Sequence, residues 1–160
     1  MRNYDFNKDI KIEEHTKLEI MKFLESLGWR ILDDNFDYRY DILMEKDGKP
    51  FKLEIKEDFR CAETGNIAVE YESRGKLSGI SSTEADIYLY KIHLADKIIY
   101  HVATVKKLMK SIELNQYHRI VGGGDYMSNT KMYLYKMPVY LSLGKVIYES
   151  QITTLEASKI

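Results

Sequence analysis

The chain has 160 residues, of which 44% are apolar and 31% charged, and its formal net charge is −1. This length suits one domain over residues 1–160, and the balance of apolar and charged residues excludes an intrinsically disordered chain. The single cysteine, Cys61, excludes an internal disulfide. No apolar run approaches the roughly 18 residues that cross a bilayer, and the N-terminal residues lack the apolar core of a signal peptide. We therefore expect a cytoplasmic protein without a membrane partner.

The first predicted element is an amphipathic helix over 10–27. Ile20, Leu24 and Leu27 recur at the three- to four-residue spacing that places side chains on one face of a helix. The apolar residues that follow predict a short strand over 29–32.

Two further strands are predicted over 40–45 and 51–57, and the residues between them favour a β-hairpin. The segment 46–50 reads Lys-Asp-Gly-Lys-Pro, which is strong turn chemistry. Because strand side chains alternate between the two faces, Glu54 and Lys56 should project from the same face of the second strand.

The remaining pattern predicts an α/β domain. It contains strands over 66–72, 86–92, 97–103 and 131–141, a glycine-containing loop over 73–80, a short helical turn from Ser81, a helix over 105–114 with Thr104 as N-cap, and a turn at 122–124. The segment from Gly144 onward is weakly patterned and predicts no element.

Asp41, Glu54 and Lys56 are the candidate chemical group. Two carboxylates beside an ammonium can hold a divalent cation and a water molecule near a phosphate, which favours a metal-dependent nuclease. The alternative is a solvated strand face with cross-strand ion pairs, since a Glu-x-Lys triplet is common in so charged a chain. The net charge of −1 also counts against a nucleic-acid binder, which is usually basic.

With Asp41 followed by Glu54-Ile55-Lys56 after an N-terminal helix, residues 10–114 resemble the PD-(D/E)XK nuclease superfamily. Tyr40 stands where the name of the family has proline, a position that many members also change. The resemblance implies a restriction-endonuclease-like fold, in which a central mixed β-sheet is flanked by helices in the order α-β-β-β-α-β.

Two subfamilies share features with this chain. The segment 64–90, TGNIAVEYESRGKLSGISSTEADIYLY, is similar to that of small bacteriophage nucleases, and the overall size resembles that of archaeal-type Holliday junction resolvases. The resemblance implies a Mg²⁺- or Mn²⁺-dependent endonuclease that cuts DNA, including branched DNA, and acts as a homodimer. A phage-encoded enzyme of this kind would work in the host cytoplasm.

The resemblance also assigns roles to residues. Asp41 and Glu54 would bind the metal through carboxylate oxygens and Ile55 through its carbonyl, while Lys56 would orient the attacking water or stabilise charge on the phosphorane. Many members add a glutamate from the first helix. At about 100° per residue, Glu13 falls near the centre of the apolar face and Glu14 at its edge, so Glu13 is the first choice and Glu14 the fallback. The alternative for both is an exposed carboxylate near a helix N-terminus.

Arg74 and Lys76 are the candidate substrate contacts. They lie in the loop that follows the predicted strand 66–72, where they would bind backbone phosphates, or be loop cations near Glu70 and Glu72. Glu70 itself could support the metal site. Two other functions stay open: a catalytically inactive nucleic-acid-binding or assembly module with the same fold, and an unrelated α/β domain in which Asp41 and Glu54 point apart.

Overall fold

A computed structural model describes residues 6–34, 39–123 and 129–151. In chain order, its helices and strands are α1 (Phe6–Ser26), β1 (Arg30–Asp33), β2 (Ile42–Lys46), β3 (Lys49–Asp58), α2 (Cys61–Thr64), β4 (Asn66–Ser73), β5 (Lys76–Leu77), β6 (Ile87–His93), β7 (Lys97–Thr104), α3 (Val105–Glu113), β8 (Arg119–Gly123), β9 (Thr130–Lys136), α4 (Met137–Ser142) and β10 (Lys145–Gln151). A 3₁₀ turn at Gly79–Ser81 lies between β5 and β6. Within the described residues, no helix is long and apolar enough to cross a membrane.

The strands form two sheets. The larger sheet has the order β1-β2-β3-β6-β7-β10, and its β3–β6 pair is parallel while its other pairs are antiparallel. The smaller sheet, β5-β4-β9-β8, is antiparallel throughout. The fold is therefore α/β, with a mixed sheet flanked by helices.

The hairpin between β2 and β3 has the turn that its sequence predicts. Asp47 and Gly48 both have positive φ, 54° and 76°, which a two-residue hairpin turn of type I′ requires. Pro50 is tolerated in β3 because the pairing of β3 with β6 begins only at Leu53.

The larger sheet separates two apolar clusters because the side chains of β6 alternate between its faces. On one face, Leu89 packs with Ile20 and Leu24 of α1 and with Leu53 of β3. On the other face, Tyr88, Tyr90 and Ile92 pack with buried residues of the smaller sheet and α3, among them Ile67, Val69, Leu108 and Tyr135. The position of α1 on one face of β3 is what brings its first turns over the candidate site.

Most of the predicted elements are confirmed, with shifted ends. The predicted helix 10–27 begins earlier, at Phe6, and its Leu27 is exposed rather than part of the apolar face. The helix predicted after Thr104 is α3, and the Thr104 hydroxyl accepts a hydrogen bond from the Lys107 N–H at 3.2 Å as an N-cap does.

The sequence does not predict which sheet each strand joins. The strand predicted over 66–72 exists as β4, but it pairs with β9 and β5 in the smaller sheet, and β6 takes the place beside β3. The local pattern of β4 shows only that Ile67 and Val69 need a buried face, and either sheet can provide one. The sheet that β4 joins is therefore decided by pairing between distant segments of the chain.

Other local predictions are wrong for identifiable reasons. The strand predicted over 131–141, with an edge or a break at Pro138, ends at Lys136, because α4 begins at Met137 with Pro138 in its first turn. Gly122 and Gly123 lie in β8 rather than in a turn, while Gly124 lies outside the described residues. The weakly patterned segment after Gly144 forms β10, which pairs with β7.

The predicted helical turn at Ser81 is replaced by the 3₁₀ turn. The Ser81 hydroxyl donates back to the carbonyls of Tyr71 and Ser78, so it does not cap a following helix.

Gly144 lies in close contact with the backbone of β7, so a larger residue at this position tests the packing of β7 and β10. A Cβ at Gly144 would lie 1.9 Å from the Val102 carbonyl oxygen and 2.9 Å from Cε1 of buried His101. We expect Gly144→Ala to lower the free energy of unfolding by about 2–3 kcal/mol, because backbone atoms of β7 must shift. Gly122→Ala is the control, since a Cβ there meets nothing within 4 Å. Urea denaturation measures both, and equal stability of the two variants would contradict the described packing of β7 and β10.

Candidate active site

A cavity of about 480 Å³ lies between the first turns of α1, the residue before β2 and the end of β3. Its lining residues are mostly ionisable: Asp9, Ile12, Glu13, Thr16, Lys17, Asp41, Glu54, Ile55, Lys56, Glu57 and Phe59. We call this cavity the acidic cavity. It brings together four of the predicted metal ligands and the predicted catalytic lysine.

Asp41 is held against β3 by two hydrogen bonds. Its N–H donates to the Leu53 carbonyl at 2.9 Å, and its Oδ2 accepts from the Ile55 N–H at 2.7 Å. Burial raises the pKa of the Asp41 carboxyl, although this hydrogen bond and the charges of Lys56 and Lys17 act in the opposite direction. Asp41 is therefore a fixed carboxylate whose charge is incompletely compensated.

Glu54 and Lys56 project from the same face of β3, as their spacing predicts. The Lys56 Nζ lies 3.2 Å from Glu54 Oε1, and both side chains are largely shielded from solvent. Burial raises the pKa of Glu54, as does the nearby charge of Asp41, and Lys56 offsets these effects only in part.

The two glutamates of α1 differ in position. Glu13 lines the acidic cavity, and its pKa is raised by burial and by the charge of Asp41. Glu14 is not among the lining residues, although both glutamates are exposed to solvent. Glu13, the first choice, is thus the helix glutamate that lines the acidic cavity, and its role as a metal ligand stays a prediction.

These residues match the donor chemistry of a hard divalent cation. Glu13, Asp41, Glu54 and the Ile55 carbonyl are all oxygen donors, which Mg²⁺ and Mn²⁺ prefer. Among the described residues, no three His, Cys, Asp or Glu side chains already form a group that could hold a metal ion. A bound cation would have to draw the carboxylates inward, and its charge would relieve their mutual repulsion.

A second cavity of about 350 Å³ borders Glu54 and Lys56 from the side of the smaller sheet. Glu70 of β4 lines it, together with Ser78, Gly79 and other residues of the connection to β6. The predicted supporting residue Glu70 therefore shares a cavity with the pair Glu54 and Lys56.

The structure does not place Arg74 and Lys76 in the lining of either cavity. Both are exposed, and Arg74 has a positive φ of 53° in the tight turn between β4 and β5. Their role as substrate contacts stays a prediction.

A hydrogen-bonded group around Glu57 was not predicted from the sequence. The Glu57 carboxylate contacts Thr16 Oγ1 and His93 Nε2, each at 2.6 Å, and lies 3.8 Å from the Lys91 Nζ. Burial alone would raise the pKa of Glu57, but the hydrogen bonds from His93 and Thr16 and the charge of Lys91 lower it overall. This group ties α1 to β3 and β6, and two of its members, Thr16 and Glu57, line the acidic cavity.

Lys91 extends this group toward the core. Its nearly buried ammonium lies 2.8 Å from Glu19 of α1, and the Tyr100 hydroxyl donates to the same carboxylate. The sequence signal for these contacts is Lys91 itself, a charged residue in the mostly apolar strand β6. This signal does not identify Glu57 and Glu19, which lie 34 and 72 residues away in the chain, as its partners.

Comparison of the chain with family models, with curated proteins and with solved structures finds no match. The assignment of a function therefore depends on the geometry of the site.

The raised pKa of Asp41 predicts a stabilising substitution. A carboxyl whose pKa is raised by folding favours the folded state below its ordinary pKa, and that contribution is lost as the pH rises through the folded-state pKa. We expect metal-free Asp41→Asn to be more stable than the wild type at pH 7 by about 0.5–2 kcal/mol. The difference should shrink as the pH falls toward about 4.

The control is Asp86→Asn, because Asp86 Oδ2 also accepts a backbone hydrogen bond from β3, at 2.8 Å from Lys52, but is exposed. Chemical denaturation across this pH range is the measurement. A destabilised Asp41→Asn at pH 7 would contradict the incomplete compensation of the carboxylate.

Proposed function

We propose that this chain is a Mg²⁺- or Mn²⁺-dependent endonuclease that hydrolyses DNA phosphodiester bonds. We also propose that it belongs to the PD-(D/E)XK nuclease superfamily and that its larger sheet is restriction-endonuclease-like. One observation carries the proposal: the same cavity is lined by Glu13 of α1, by Asp41 just before β2, and by Glu54 and Lys56 of β3. The parallel β3–β6 pair and the packing of α1 on β3 also support it.

The residues of the cavity divide the chemical work. Asp41, Glu54, the Ile55 carbonyl and Glu13 would hold the cation, which would polarise the scissile phosphate and lower the pKa of a water molecule. Lys56, next to Glu54, would orient that water or stabilise the negative charge that develops on the phosphorane. Lys17 lines the same cavity and adds positive charge near the phosphate.

Branched DNA is the substrate that the resemblance to junction resolvases favours. A homodimer would supply the two active sites that symmetric cutting of a branch requires. Arg74 and Lys76 would then contact the backbone at a distance from the scissile phosphate.

The test is a cleavage panel of four-way junction, flap, duplex and single-stranded DNA with Mg²⁺ or Mn²⁺. We expect Glu54→Gln and Lys56→Ala each to lower the cleavage rate by at least about 100-fold, because each removes a group that acts on the transition state. Lys49→Ala is the matched control, since this exposed lysine lies on the same strand outside the cavity.

Either of two results would refute the nuclease: no cleavage of any of these substrates by the wild type, or cleavage that survives both substitutions.

Metal binding tests the contribution of α1. By calorimetry, we expect Glu13→Gln to weaken Mn²⁺ binding by at least about tenfold, because it removes a carboxylate from the acidic cavity. Glu14→Gln should bind Mn²⁺ like the wild type, since Glu14 is equally exposed on the same helix but does not line the cavity. The opposite ranking would make Glu14 the ligand.

The formal net charge of −1 keeps a second candidate in view, a catalytically inactive nucleic-acid-binding or assembly module with the same fold. Such a module has no need of a cation between Asp41 and Glu54. Absence of Mn²⁺ binding by the wild type would favour it.

A further inference from the structure

Phe59 is a large apolar side chain at the rim of the acidic cavity. It follows the last residue of β3 and lines the same cavity as Glu54 and Lys56. Its relative exposure is 56%. Because Phe59 lies at the cavity, this exposed apolar ring is accessible to a ligand that enters the cavity.

One face of the Phe59 ring is already covered. The His93 imidazole stacks on it with ring centroids 4.3 Å apart and an interplanar angle of 19°. His93 is itself held by Glu57, through the 2.6 Å contact at Nε2. The exposed surface of Phe59 is therefore its opposite face and its edge.

The backbone at Phe59 is also fixed. Asp58 Oδ1 accepts hydrogen bonds from the Arg60 N–H at 2.9 Å and the Cys61 N–H at 2.7 Å, which closes a tight turn around Phe59. Because the turn and the stacked imidazole order the ring on folding, little entropy remains to be lost when a ligand contacts it.

A flat, fixed aromatic face is the surface on which a nucleobase stacks. We infer that Phe59 holds one base of the DNA next to the scissile phosphate, and that the substrate at this site therefore contains an unpaired segment. Within a duplex, neighbouring base pairs cover both faces of every internal base, so an internal base can lie on Phe59 only when it is unpaired. The inference rests on the proposed function and specifies its substrate class as single-stranded DNA, alone or beside a duplex.

The experiment measures binding without cleavage, in the Glu54→Gln protein with Mg²⁺. Three labelled probes are used: a short oligodeoxythymidine, an abasic sugar–phosphate oligomer of the same length, and a blunt duplex. Fluorescence anisotropy measures the binding of each. We expect Phe59→Ala to weaken binding of the oligodeoxythymidine by about tenfold, as loss of a base–aromatic stack does, and to leave the other two probes unchanged. Phe59→Trp should retain the affinity.

Leu114→Ala is the matched control, because Leu114 is also 56% exposed and lies after α3, outside the lining of the cavity. It should bind all probes like the parent protein. Circular dichroism verifies that each variant is folded. We expect both variants to fold, because the replaced side chains are exposed.

Three results would overturn the inference: no binding of the oligodeoxythymidine by the parent protein, undiminished binding by Phe59→Ala, or an equal loss for the abasic oligomer. If thymidine monophosphate, at the same concentration as the oligodeoxythymidine, displaced it from the protein, the ligand would be a nucleotide and not single-stranded DNA. Failure of the nuclease proposal is distinguishable, since it appears as absent cleavage in the wild type while Phe59-dependent binding persists. Cleavage that needs Glu54 but is indifferent to Phe59 would refute the inference alone.

Discussion

The alternation of side chains along β3 is the constraint on which the candidate site depends. Leu53 and Glu57 face α1, where Leu53 packs in the apolar cluster and Glu57 accepts a hydrogen bond from Thr16. Glu54 and Lys56 face the cavity that Glu70 also lines. A strand cannot move one of these side chains to the other face without a shift in register that moves all of them. The acidic cavity at the end of β3 therefore combines residues from both faces.

Two pairings of β3 bring the other charged groups to this point. In the antiparallel hairpin with β2, the Ile55 N–H holds the Asp41 carboxylate next to Glu54. In the parallel pairing with β6, Glu57 lies opposite Lys91, and His93 follows two residues later. The first pairing is local and the second joins segments more than thirty residues apart, which is why the two halves of the site differ in how far they can be predicted.

The local half follows from sequence. Asp47-Gly48 predicts the hairpin, the hairpin brings Asp41 beside Glu54, and the two-residue spacing puts Lys56 on the same face as Glu54. The distant half does not, because the apolar pattern of β4 does not say which sheet it joins, and the pattern of β6 does not name Glu57 and Glu19 as partners of Lys91. Long-range pairing is decided by the sum of packing over both clusters, and no single segment carries that information.

The acids around the junction of α1 and β3 fall into two groups with opposite pKa shifts, and the difference separates support from function. Glu57 and Glu19 have lowered pKa values because Lys91, His93, Thr16 and Tyr100 satisfy their carboxylates despite burial. Glu13, Asp41 and Glu54 have raised pKa values because burial outweighs the positive charge of Lys56 and, at Asp41, also that of Lys17 and the hydrogen bond from the Ile55 N–H. The charge of Asp41 raises the pKa of Glu13 and Glu54 further.

Uncompensated carboxylates that only had to hold the fold together would be replaced at little cost by amides or apolar groups. The hydrogen-bonded group around Glu57 fixes α1 to the sheet, and so it limits how far Glu13, Asp41 and Glu54 can move apart. The positive charge that these three carboxylates lack is the physical argument behind the proposed cation site.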